Sequence, residues 1–437
     1  MPCPALLISA PASGQGKTSV TAALARSARR RGQRVRVFKT GPDYLDPMIL
    51  SRASGHPVHQ LDLFMGGVDH CRALLADAAR DADLILVEGV MGLFDGNPSS
   101  ADLAAAFGLP VMVVLDASAM AQTFAALATG LARFRDDVRV VGVVANRVGS
   151  DHHAALLAEG LPADLPLVAA LKRAPALSLP ERHLGLVQAL ELPDLDAQLD
   201  AWADAWDAGC AHGQASEALW RPVDFSSAPA DPIHALGQPL SGRRIAVAQD
   251  ACFSFIYPTN LSMLSTLGAD VRLFSPIAGD DLPDCDALWL PGGYPELHAP
   301  ALQQHPRFFD ALRQHLGAGR PLLAECGGML VLLDALTDAD GIDHPMAGLM
   351  PGQARLQPKL AALGLQAITW PEGELRGHSF HYSTMETPLA PIATARNPNA
   401  GRTAEPLYAQ GSLRASYVHH YFASNPAAVA AFFKGDR

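Results

Sequence analysis

Short, uninterrupted apolar runs recur along this chain, and each is followed by a turn and then a helix-like stretch. The first group consists of "ALLISA", "VRVFKT", "DLILVEG", "VMVVLDA", "VRVVGVVANRV" and "PLVAAL". Continuous apolar character is typical of strands that are covered on both faces, as in parallel α/β sheets. An aromatic content of only 6% also favours helices packed on a parallel sheet over an all-β sandwich. We therefore predict an α/β fold.

The alternation of strands and helices stops between Leu192 and Ser241 and then starts again. The segment "DAQLDAWADAWDAG" has a helical pattern, and the segment "SSAPADPIHALGQPLSG" has the Pro-, Ser- and Gly-rich composition of a linker. Strand-like runs return in "RRIAVAQD", "ADVRLFSP", "DALWLPGG" and "PLLAECGG". A chain of 437 residues has room for two or three domains of average size. We predict one α/β domain at 1–225, a linker at 226–242 and a second α/β domain at 243–437.

The charge and the cysteine content exclude several classes of protein. A net charge of −11 argues against general nucleic-acid binding, which needs a basic face. No run reaches the roughly 18 apolar residues of a membrane helix, and "MPCPALLISAP" lacks the pattern of a signal peptide, so we expect a cytoplasmic protein that binds no membrane. The six cysteines form no C-x-x-C pair, and the pairs His56/His59 and His378/His381 lack a clear third ligand, so we expect no zinc site.

A phosphate-binding loop is predicted at the segment "APASGQGKTSV", which follows an apolar strand and opens a helix. Lys17 would pair with the β- and γ-phosphates, and Thr18 would place its hydroxyl on Mg²⁺. A glycine turn that merely caps a helix does not explain a lysine followed by a hydroxyl. One departure from the usual pattern is Pro11, which stands where the first glycine is expected. The candidate nucleotide-binding residues are Gly14, Gln15, Gly16, Lys17, Thr18 and Ser19.

Acidic residues follow two neighbouring predicted strands, in the segments "FKTGPDYLDP" and "LVEGVMGLFDG". Ligands of open α/β sheets lie at the carboxyl ends of the strands, so these acids are expected to converge on the phosphate loop. Carboxylates beside a triphosphate repel it unless they hold Mg²⁺ or orient a reacting group. Taken singly, an aspartate such as Asp43 or Asp95 is more often a turn residue, but the phosphate loop beside them favours a functional role. The candidates are Asp43 and Asp46, which come with Lys39 just after one strand, and Glu88 and Asp95, which come just after another.

A second chemical site is predicted at "PLLAECGGML", where a strand leads into Cys326 and a helix begins at Gly327. A helix N-terminus beneath the thiol would favour the thiolate. A nucleophilic thiol also needs a base, and "RASYVHHYFASNP" supplies His419 or His420. The turn "PGGYPE" would add backbone donors for an oxyanion. The candidate oxyanion residues are Gly292, Gly293 and Gly327.

Together these motifs resemble those of a known family, the a,c-diamide synthases of corrin biosynthesis. The similarity extends over nearly the whole chain and also includes "LPERHLGL", "FSFIYPTNL" and "RGHSFHYS". The resemblance implies a P-loop domain of the dethiobiotin synthetase type followed by a class I glutamine amidotransferase domain. It also implies that the thiol site releases ammonia from glutamine, while ATP and Mg²⁺ activate carboxylates of a corrinoid polycarboxylate. No zinc or flavin is expected, and a homodimer is compatible with the family.

The resemblance also implies roles for individual residues. Lys17 and Thr18 would serve the nucleotide and Mg²⁺, and Glu88, with Asp46, would bind the metal. Cys326 would be the glutaminase nucleophile and His419 its base; many class I amidotransferases have a glutamate two residues after this histidine, where this chain has Tyr421. The residues that match the substrate-side loop and carboxylate activation are Asp43, Tyr44, Leu45, Asp46 and Asp95.

Three alternatives are weighed against this interpretation. A nickel-sirohydrochlorin a,c-diamide synthase shares most of the motifs and differs mainly in its macrocycle. A cobyric acid synthase would be longer and would lack "LPERHLGL". A partitioning-type ATPase carries an extra lysine early in its loop, where this chain has Ala12, and has no use for a thiol at a strand–helix turn.

Overall fold

A computed structural model describes residues 2–173, 181–182, 185–186, 192, 194–210, 220–226, 231–399, 401 and 404–435. The chain divides into two compact units, one of residues 1–63 and 67–229 and the other of residues 64–66 and 230–437. "LPERHLGL" and the predicted linker segment lie partly outside the described residues. In the part of the chain that is described, no helix is both long and apolar enough to cross a membrane.

Unit 1 is built on an eight-stranded sheet. Seven of its strands lie in the order β3-β2-β4-β1-β5-β6-β7, and the eighth, β10, pairs antiparallel with β1. The other pairings in this sheet are parallel, and each predicted apolar run forms one of its strands, so the predicted parallel sheet is confirmed. Its strands are β1 (Pro2–Ser9), β2 (Val35–Thr40), β3 (His59–Leu61), β4 (Leu84–Glu88), β5 (Val111–Asp116), β6 (Val140–Val148), β7 (Leu167–Lys172) and β10 (Pro222–Asp224); β8 (Glu181–Arg182) and β9 (Gly185–Leu186) pair antiparallel as a separate two-stranded sheet.

Helices of unit 1 cover both faces of this sheet, and each face has its own buried apolar cluster. This arrangement explains why the strands are apolar at consecutive positions: both faces of each strand are removed from water. The helices are α1 (Lys17–Arg30), α2 (Leu45–Ser54), α3 (Gly67–Ala78), α4 (Ser100–Phe107), α5 (Thr123–Arg133), α6 (Asp151–Glu159) and α7 (Leu195–Cys210).

The register of the central strands brings the predicted acids to the phosphate loop. Lys39 of β2 and Ile8 of β1 both pair with Glu88 of β4, so the three residues lie at one level near the carboxyl ends of adjacent strands. The loop that begins after β1 and the loops that follow β2 and β4 therefore leave the sheet side by side.

Unit 2 contains a seven-stranded sheet with the order β12-β11-β13-β14-β23-β22-β21. The pairings from β12 through β23 are parallel, whereas β22 and β21 are added antiparallel. The four strands predicted for this half of the chain are confirmed. The strands are β11 (Arg244–Ala248), β12 (Asp270–Phe274), β13 (Ala287–Leu290), β14 (Leu322–Glu325), β21 (Ala393–Thr394), β22 (Pro406–Gln410) and β23 (Leu413–Ser416).

Two smaller sheets complete unit 2, and the apolar-run pattern did not predict them. Strands of the order β16-β15-β17-β20 form one, and strands of the order β18-β19-β24 form the other. Most of these strands are short or are exposed on one face, so they carry no continuous apolar run. They are β15 (Ala335–Thr337), β16 (Asp343–Pro345), β17 (Gln353–Leu356), β18 (Ala362–Trp370), β19 (Gly373–His381), β20 (Ser383–Glu386) and β24 (His419–Tyr421).

The helices of unit 2 are short, and several begin with proline, whose fixed φ suits the first helical turn. They are α8 (Pro232–Ala235), α9 (Pro258–Thr266), α10 (Pro295–Gln303), α11 (Pro306–Gly317), α12 (Gly327–Leu330) and α13 (Pro426–Lys434), with 3₁₀ helices at Pro276–Ala278 and Phe422–Ser424.

Candidate active sites

The phosphate loop of unit 1 has the backbone shape that its glycines predict. Gly14 and Gly16 have φ values of 77° and 95°, a left-handed conformation that disfavours residues with a Cβ. Gly16 is also the N-cap of α1, and no side chain caps this helix. The N–H groups of the first turn therefore face the loop, which is the arrangement that binds phosphate.

Lys17 is folded back onto the loop. Its Nζ donates to the carbonyl oxygens of Ala12, at 3.0 Å, and Met91, at 2.6 Å. Burial lowers the pKa of Lys17, and the nearby charge of Lys39 lowers it further. Phosphate oxygens are stronger acceptors for an ammonium group than neutral carbonyls, so a bound nucleotide would compete for these hydrogen bonds.

Asn146 and Asp116 position the middle of the loop, and the sequence analysis missed both residues. Asn146 Nδ2 donates to the carbonyl oxygen of Gln15 at 2.9 Å, and the backbone N–H of Asp116 donates to Gln15 Oε1 at 2.8 Å. The amide of Asn146 also fills the space that a Cβ on Gly16 would need. The available signal was the polar end of the apolar run "VRVVGVVANRV", where a strand reaches the carboxyl edge of the sheet.

A buried lysine lies at the centre of the predicted carboxylate cluster. Lys39 Nζ is 2.5 Å from Glu88 Oε1, 2.6 Å from Asp46 Oδ2 and 3.2 Å from Asp43 Oδ2. Burial alone would lower the pKa of Lys39, but the carboxylates outweigh it and hold the pKa well above its ordinary value. Thr18 Oγ1 donates to Glu88 Oε1 at 3.0 Å, which links the cluster to the phosphate loop. The sequence analysis placed Lys39 here but assigned it no role.

The carboxylates of this cluster differ in their affinity for protons. Burial raises the pKa of Glu88 to about 7, and burial together with the charge of Asp46 raises the pKa of Asp43 to about 7. Burial opposes the ionisation of Asp46 as well, but its contact with Lys39 dominates and lowers its pKa to about 2. The cluster thus carries more acid than its one lysine neutralises, so it would gain from a second cation.

Two buried oxygen atoms fit that second cation. Asp46 Oδ1 and Glu88 Oε2 have no hydrogen-bond partner among the described residues. Carboxylate oxygens and a threonine hydroxyl are ligands that suit Mg²⁺. In the described part of the chain no three acidic, His or Cys side chains form a metal-binding group, and in this cluster Lys39 contacts both Asp46 and Glu88.

The remaining predicted residues of unit 1 lie around this cluster. Asp43 Oδ1 accepts from the backbone N–H groups of Leu45 and Asp46, and thereby shapes the start of α2. Tyr44 is the N-cap residue of the same helix. Asp95 is exposed and accepts from the N–H of Gly92 at 3.0 Å, so it acts on the loop through its charge, which raises the pKa of Lys17.

In unit 2, Cys326 lies on a sharp turn between β14 and α12. Its φ of 44° and ψ of −112° belong to a region that non-glycine residues rarely occupy. Its N–H donates to the carbonyl oxygen of Ser416 at 2.8 Å, which holds the turn against β23. A strained strand–turn–helix of this kind is typical of a nucleophile elbow.

The imidazole of His419 reaches the same place as the thiol. A Cβ built on Gly292 would lie 3.3 Å from Cys326 Cβ and 2.8 Å from His419 Nδ1, so both side chains adjoin this one glycine. The ring of His419 stacks on that of His378 with 5.0 Å between centroids. His378 in turn pairs with the hydroxyl of Tyr257 at 2.8 Å.

The neighbouring histidine has a different partner. His420 Nδ1 lies 2.8 Å from Glu325 Oε1, and the backbone N–H of His420 donates to the same oxygen at 2.9 Å. Successive residues of a strand point to opposite faces, so only one of the two histidines can face the thiol. The structure brings His419, the base implied by the resemblance, next to Cys326.

The expectation that the helix N-terminus favours the thiolate is wrong for this structure. Burial raises the pKa of the Cys326 thiol, and the charge of Glu296 raises it further. The helix that follows has only four residues, and burial is the largest influence on the thiol. Burial also holds the pKa of His419 well below its ordinary value. Both pKa shifts favour a neutral thiol and a neutral imidazole over the ion pair.

The predicted oxyanion residues are packed tightly around the elbow. A Cβ on Gly327 would lie 2.9 Å from the backbone nitrogen of Gly293, and a Cβ on Gly293 would collide with the carbonyl oxygen of Cys252. Only glycine permits this approach of the "PGGYPE" turn to the elbow. Glu296, in the first turn of α10 directly after these glycines, is buried, which raises its pKa to about 7; no role was predicted for it from the sequence.

Comparisons with known proteins define the class of this chain. Residues 6–187 match the model of the CobQ/CobB/MinD/ParA nucleotide binding domain, and residues 244–427 match that of the CobB/CobQ-like glutamine amidotransferase domain. The protein thus joins a nucleotide-binding domain to a glutamine amidotransferase domain. The predicted fold class is confirmed.

Full-length relatives narrow the assignment. The hydrogenobyrinate a,c-diamide synthase of Stutzerimonas stutzeri is 56% identical over 99% of both chains. That of Pseudomonas aeruginosa is 56% identical over 98% of this chain and 97% of the relative, and the cobyrinate a,c-diamide synthase of Herminiimonas arsenicoxydans is 50% identical over 98% and 96%. The chain belongs to the hydrogenobyrinate and cobyrinate a,c-diamide synthase family.

Proposed function

We propose that this protein is an amide-forming ligase that uses ATP and glutamine to amidate the a and c acetate carboxylates of hydrogenobyrinate or cobyrinate, a step of cobalamin biosynthesis. The observation that carries the proposal is the position of Cys326 on a strained elbow, with its side chain and the imidazole of His419 both adjoining Gly292. A nucleotide-binding unit has no need of such a pair, whereas a ligase that takes nitrogen from glutamine requires it.

The glutaminase reaction follows from the resting state of the pair. His419 is neutral and accepts the thiol proton as Sγ attacks the δ-carbonyl carbon of glutamine. The oxyanion that forms is stabilised by backbone N–H groups of the elbow and of the "PGGYPE" turn. His419 returns the proton to the leaving nitrogen, which departs as ammonia, and water then hydrolyses the thioester to glutamate.

The second reaction activates the acceptor. A carboxylate is a poor electrophile because oxide is a poor leaving group. Transfer of the γ-phosphoryl group of ATP to the carboxylate gives an acyl phosphate and ADP. Ammonia then displaces inorganic phosphate and forms the amide. Lys17 and the N–H groups of the phosphate loop would bind the nucleotide phosphates during this transfer.

We infer that Mg²⁺ accompanies ATP, held by Thr18, Asp46 and Glu88. The orphaned oxygens of the two carboxylates support this inference. When bound, the ion would neutralise the negative charge of the phosphates and withdraw electron density from the phosphoryl group. The domain limits 1–225 and 243–437, a cytoplasmic location, the absence of nucleic-acid and membrane partners, and a homodimer remain predictions; light scattering of the purified protein would test the last.

The proposal is tested by comparing two nitrogen donors in the variant Cys326→Ala. Glutamine-dependent amidation should be lost, whereas amidation with high ammonium should be retained, because only the ammonia source is removed. Cys285→Ala is the matched control, since Cys285 is also buried beside a histidine, 3.7 Å from His315 Nδ1, but lies in no elbow. Equal loss with both nitrogen donors in Cys326→Ala would contradict the proposal.

The variant Lys17→Ala tests the carboxylate-activating reaction in the same way. It should abolish amidation with either nitrogen donor, because activation of the carboxylate precedes attack by nitrogen. Ammonia-dependent activity that survives this change would remove the nucleotide role from unit 1. Parallel assays with cobyrinic and hydrogenobyrinic acids, followed by mass spectrometry of the product, would identify the macrocycle.

A further inference from the structure

A cavity of about 440 Å³ lies in unit 2, and the reactions described above leave it without a role. Its lining includes one imidazole, that of His381, and one carboxyl group, that of Glu405. It also includes the hydroxyl residues Ser383, Tyr408 and Tyr417. His381 belongs to the H-x-x-H pair that the sequence analysis set aside. The question is what this polar cavity binds.

The sheet register places the cavity beside the thiol. Strand β23 lies between β14 and β22, and Ser416 of β23 pairs with Glu325 on one side and Leu407 on the other. Cys326 follows Glu325 at the end of β14, and Tyr417 follows Ser416 at the end of β23. Glu405 directly precedes β22, at the same edge of the sheet. Two strand spacings separate the backbones of Cys326 and Glu405 by roughly 10 Å.

Hydrogen bonds and stacking hold the carboxylate of Glu405 in place. Glu405 Oε1 lies 3.1 Å from His381 Nε2, and His381 Nδ1 donates to the carbonyl oxygen of Ser383 at 2.8 Å. The imidazole of His381 stacks on the ring of Tyr417 with 3.7 Å between centroids. Ser383 Oγ and the Tyr417 hydroxyl lie 3.0 Å apart. The network fixes an acidic group that is only 6% exposed.

Burial is the main reason why the pKa of the Cys326 thiol is raised, and the charges of Glu296, Glu405 and Glu325 raise it further. Glu325 is engaged by His420 and by the indole N–H of Trp289. Of these three carboxylates, Glu405 is the one that lines the cavity.

Glutamine bound to the thiol has a second polar end. Standard bond lengths put its α-nitrogen roughly 5 Å from the carbon that the thiol attacks, which suits the gap between Cys326 and Glu405. A buried carboxylate is stabilised by a cationic hydrogen-bond donor, and an ammonium group is one. We propose that Glu405, positioned by His381, binds the α-ammonium group of glutamine and so selects the amino acid over other amides. This inference rests on the proposed glutaminase activity.

The test compares L-glutamine with 4-carbamoylbutanoate, which lacks only the α-amino group, in an assay of ammonia release. In Glu405→Gln, kcat/KM should fall roughly 10- to 100-fold for glutamine but less than about threefold for the deamino substrate. The ratio of the two kcat/KM values does not depend on the fraction of folded protein. Ammonia-dependent amidation should not change, and the exposed matched variant Glu386→Gln should behave as the unmodified protein does.

Glu405→Asp keeps the charge on a shorter side chain and should retain an intermediate ratio, so the proposal remains testable if the glutamine variant folds poorly. Equal losses with both substrates in Glu405→Gln would assign Glu405 a structural role and overturn the inference while leaving the glutaminase intact. Failure of the unmodified protein to release ammonia from glutamine would overturn the proposed function itself, and with it this inference.

Discussion

Gly292 adjoins both members of the thiol–imidazole pair. A single methyl group added at this position should therefore impair catalysis without unfolding the protein. A Cβ there would overlap Cε1 of His419 and lie 2.8 Å from its Nδ1. Favourable contacts between such atoms begin near 3.5 Å, so the ring would have to move by about 1 Å. The backbone itself tolerates alanine, because Gly292 has no left-handed φ.

A displacement of about 1 Å in a catalytic group lowers rates by a factor on the order of 100. We therefore expect Gly292→Ala to lose about that factor in glutamine-dependent amidation and to keep its activity with ammonium. The assay measures amide formation with each nitrogen donor, at saturating ATP and acceptor. Glutamate release measured in parallel should fall by the same factor.

The matched control is Gly317→Ala. Gly317 ends α11, and a Cβ there would meet no atom within 4 Å. Its activity with both donors should equal that of the unmodified protein. The reasoning fails if Gly292→Ala keeps full glutamine-dependent activity, because His419 could then not lie where the structure has it. It also fails if the activity of Gly292→Ala falls equally with glutamine and with ammonium while the midpoint of thermal unfolding is unchanged.

Three further predictions concern buried ionisable side chains. Glu325→Ala should lower the free energy of unfolding by about 3 kcal/mol or more, measured by urea denaturation, because His420 loses its buried partner; an unchanged midpoint would contradict this. Lys39→Met should make the thermal midpoint depend on Mg²⁺, since Asp46 and Glu88 would lose their cation; a midpoint that is insensitive to Mg²⁺ would argue against a metal site. The rate at which iodoacetamide alkylates Cys326 without glutamine, followed by mass spectrometry, should rise about tenfold per pH unit from pH 7 to 9. A raised pKa keeps the thiol protonated in this range, so the thiolate fraction increases with pH. A rate that reaches a plateau below pH 8 would show a lowered pKa instead.

The central strands of both sheets were predictable because their signal is local. A strand covered on both faces must be apolar at consecutive positions, and that property is visible in a single run such as "DLILVEG". The phosphate loop and the thiol elbow were predictable for a related reason. Gly14, Gly16 and Gly327 stand at positions where the backbone bends sharply or approaches another segment, so the residue type reports the local geometry.

The smaller sheets of unit 2 escaped prediction because their strands are stabilised by pairing with distant segments. Strand β24 is three residues long and is paired with β19, so no local pattern distinguishes it from a loop. The same reason applies to Asn146, whose amide acts on the phosphate loop although it lies 131 residues from Gln15.

The sequence by itself determined the fold class, the order of the two domains, the phosphate loop and the turn that carries Cys326, because each depends on neighbouring residues. Tertiary structure alone decided which histidine faces Cys326, that Lys39 lies among the carboxylates and that Glu405 lines the cavity beside the thiol. It also decided the direction of the pKa shifts in the pair, since burial raises the pKa of the thiol and lowers that of the imidazole. Those properties depend on distance and on the loss of water around a group, and both arise only when remote parts of the chain pack together.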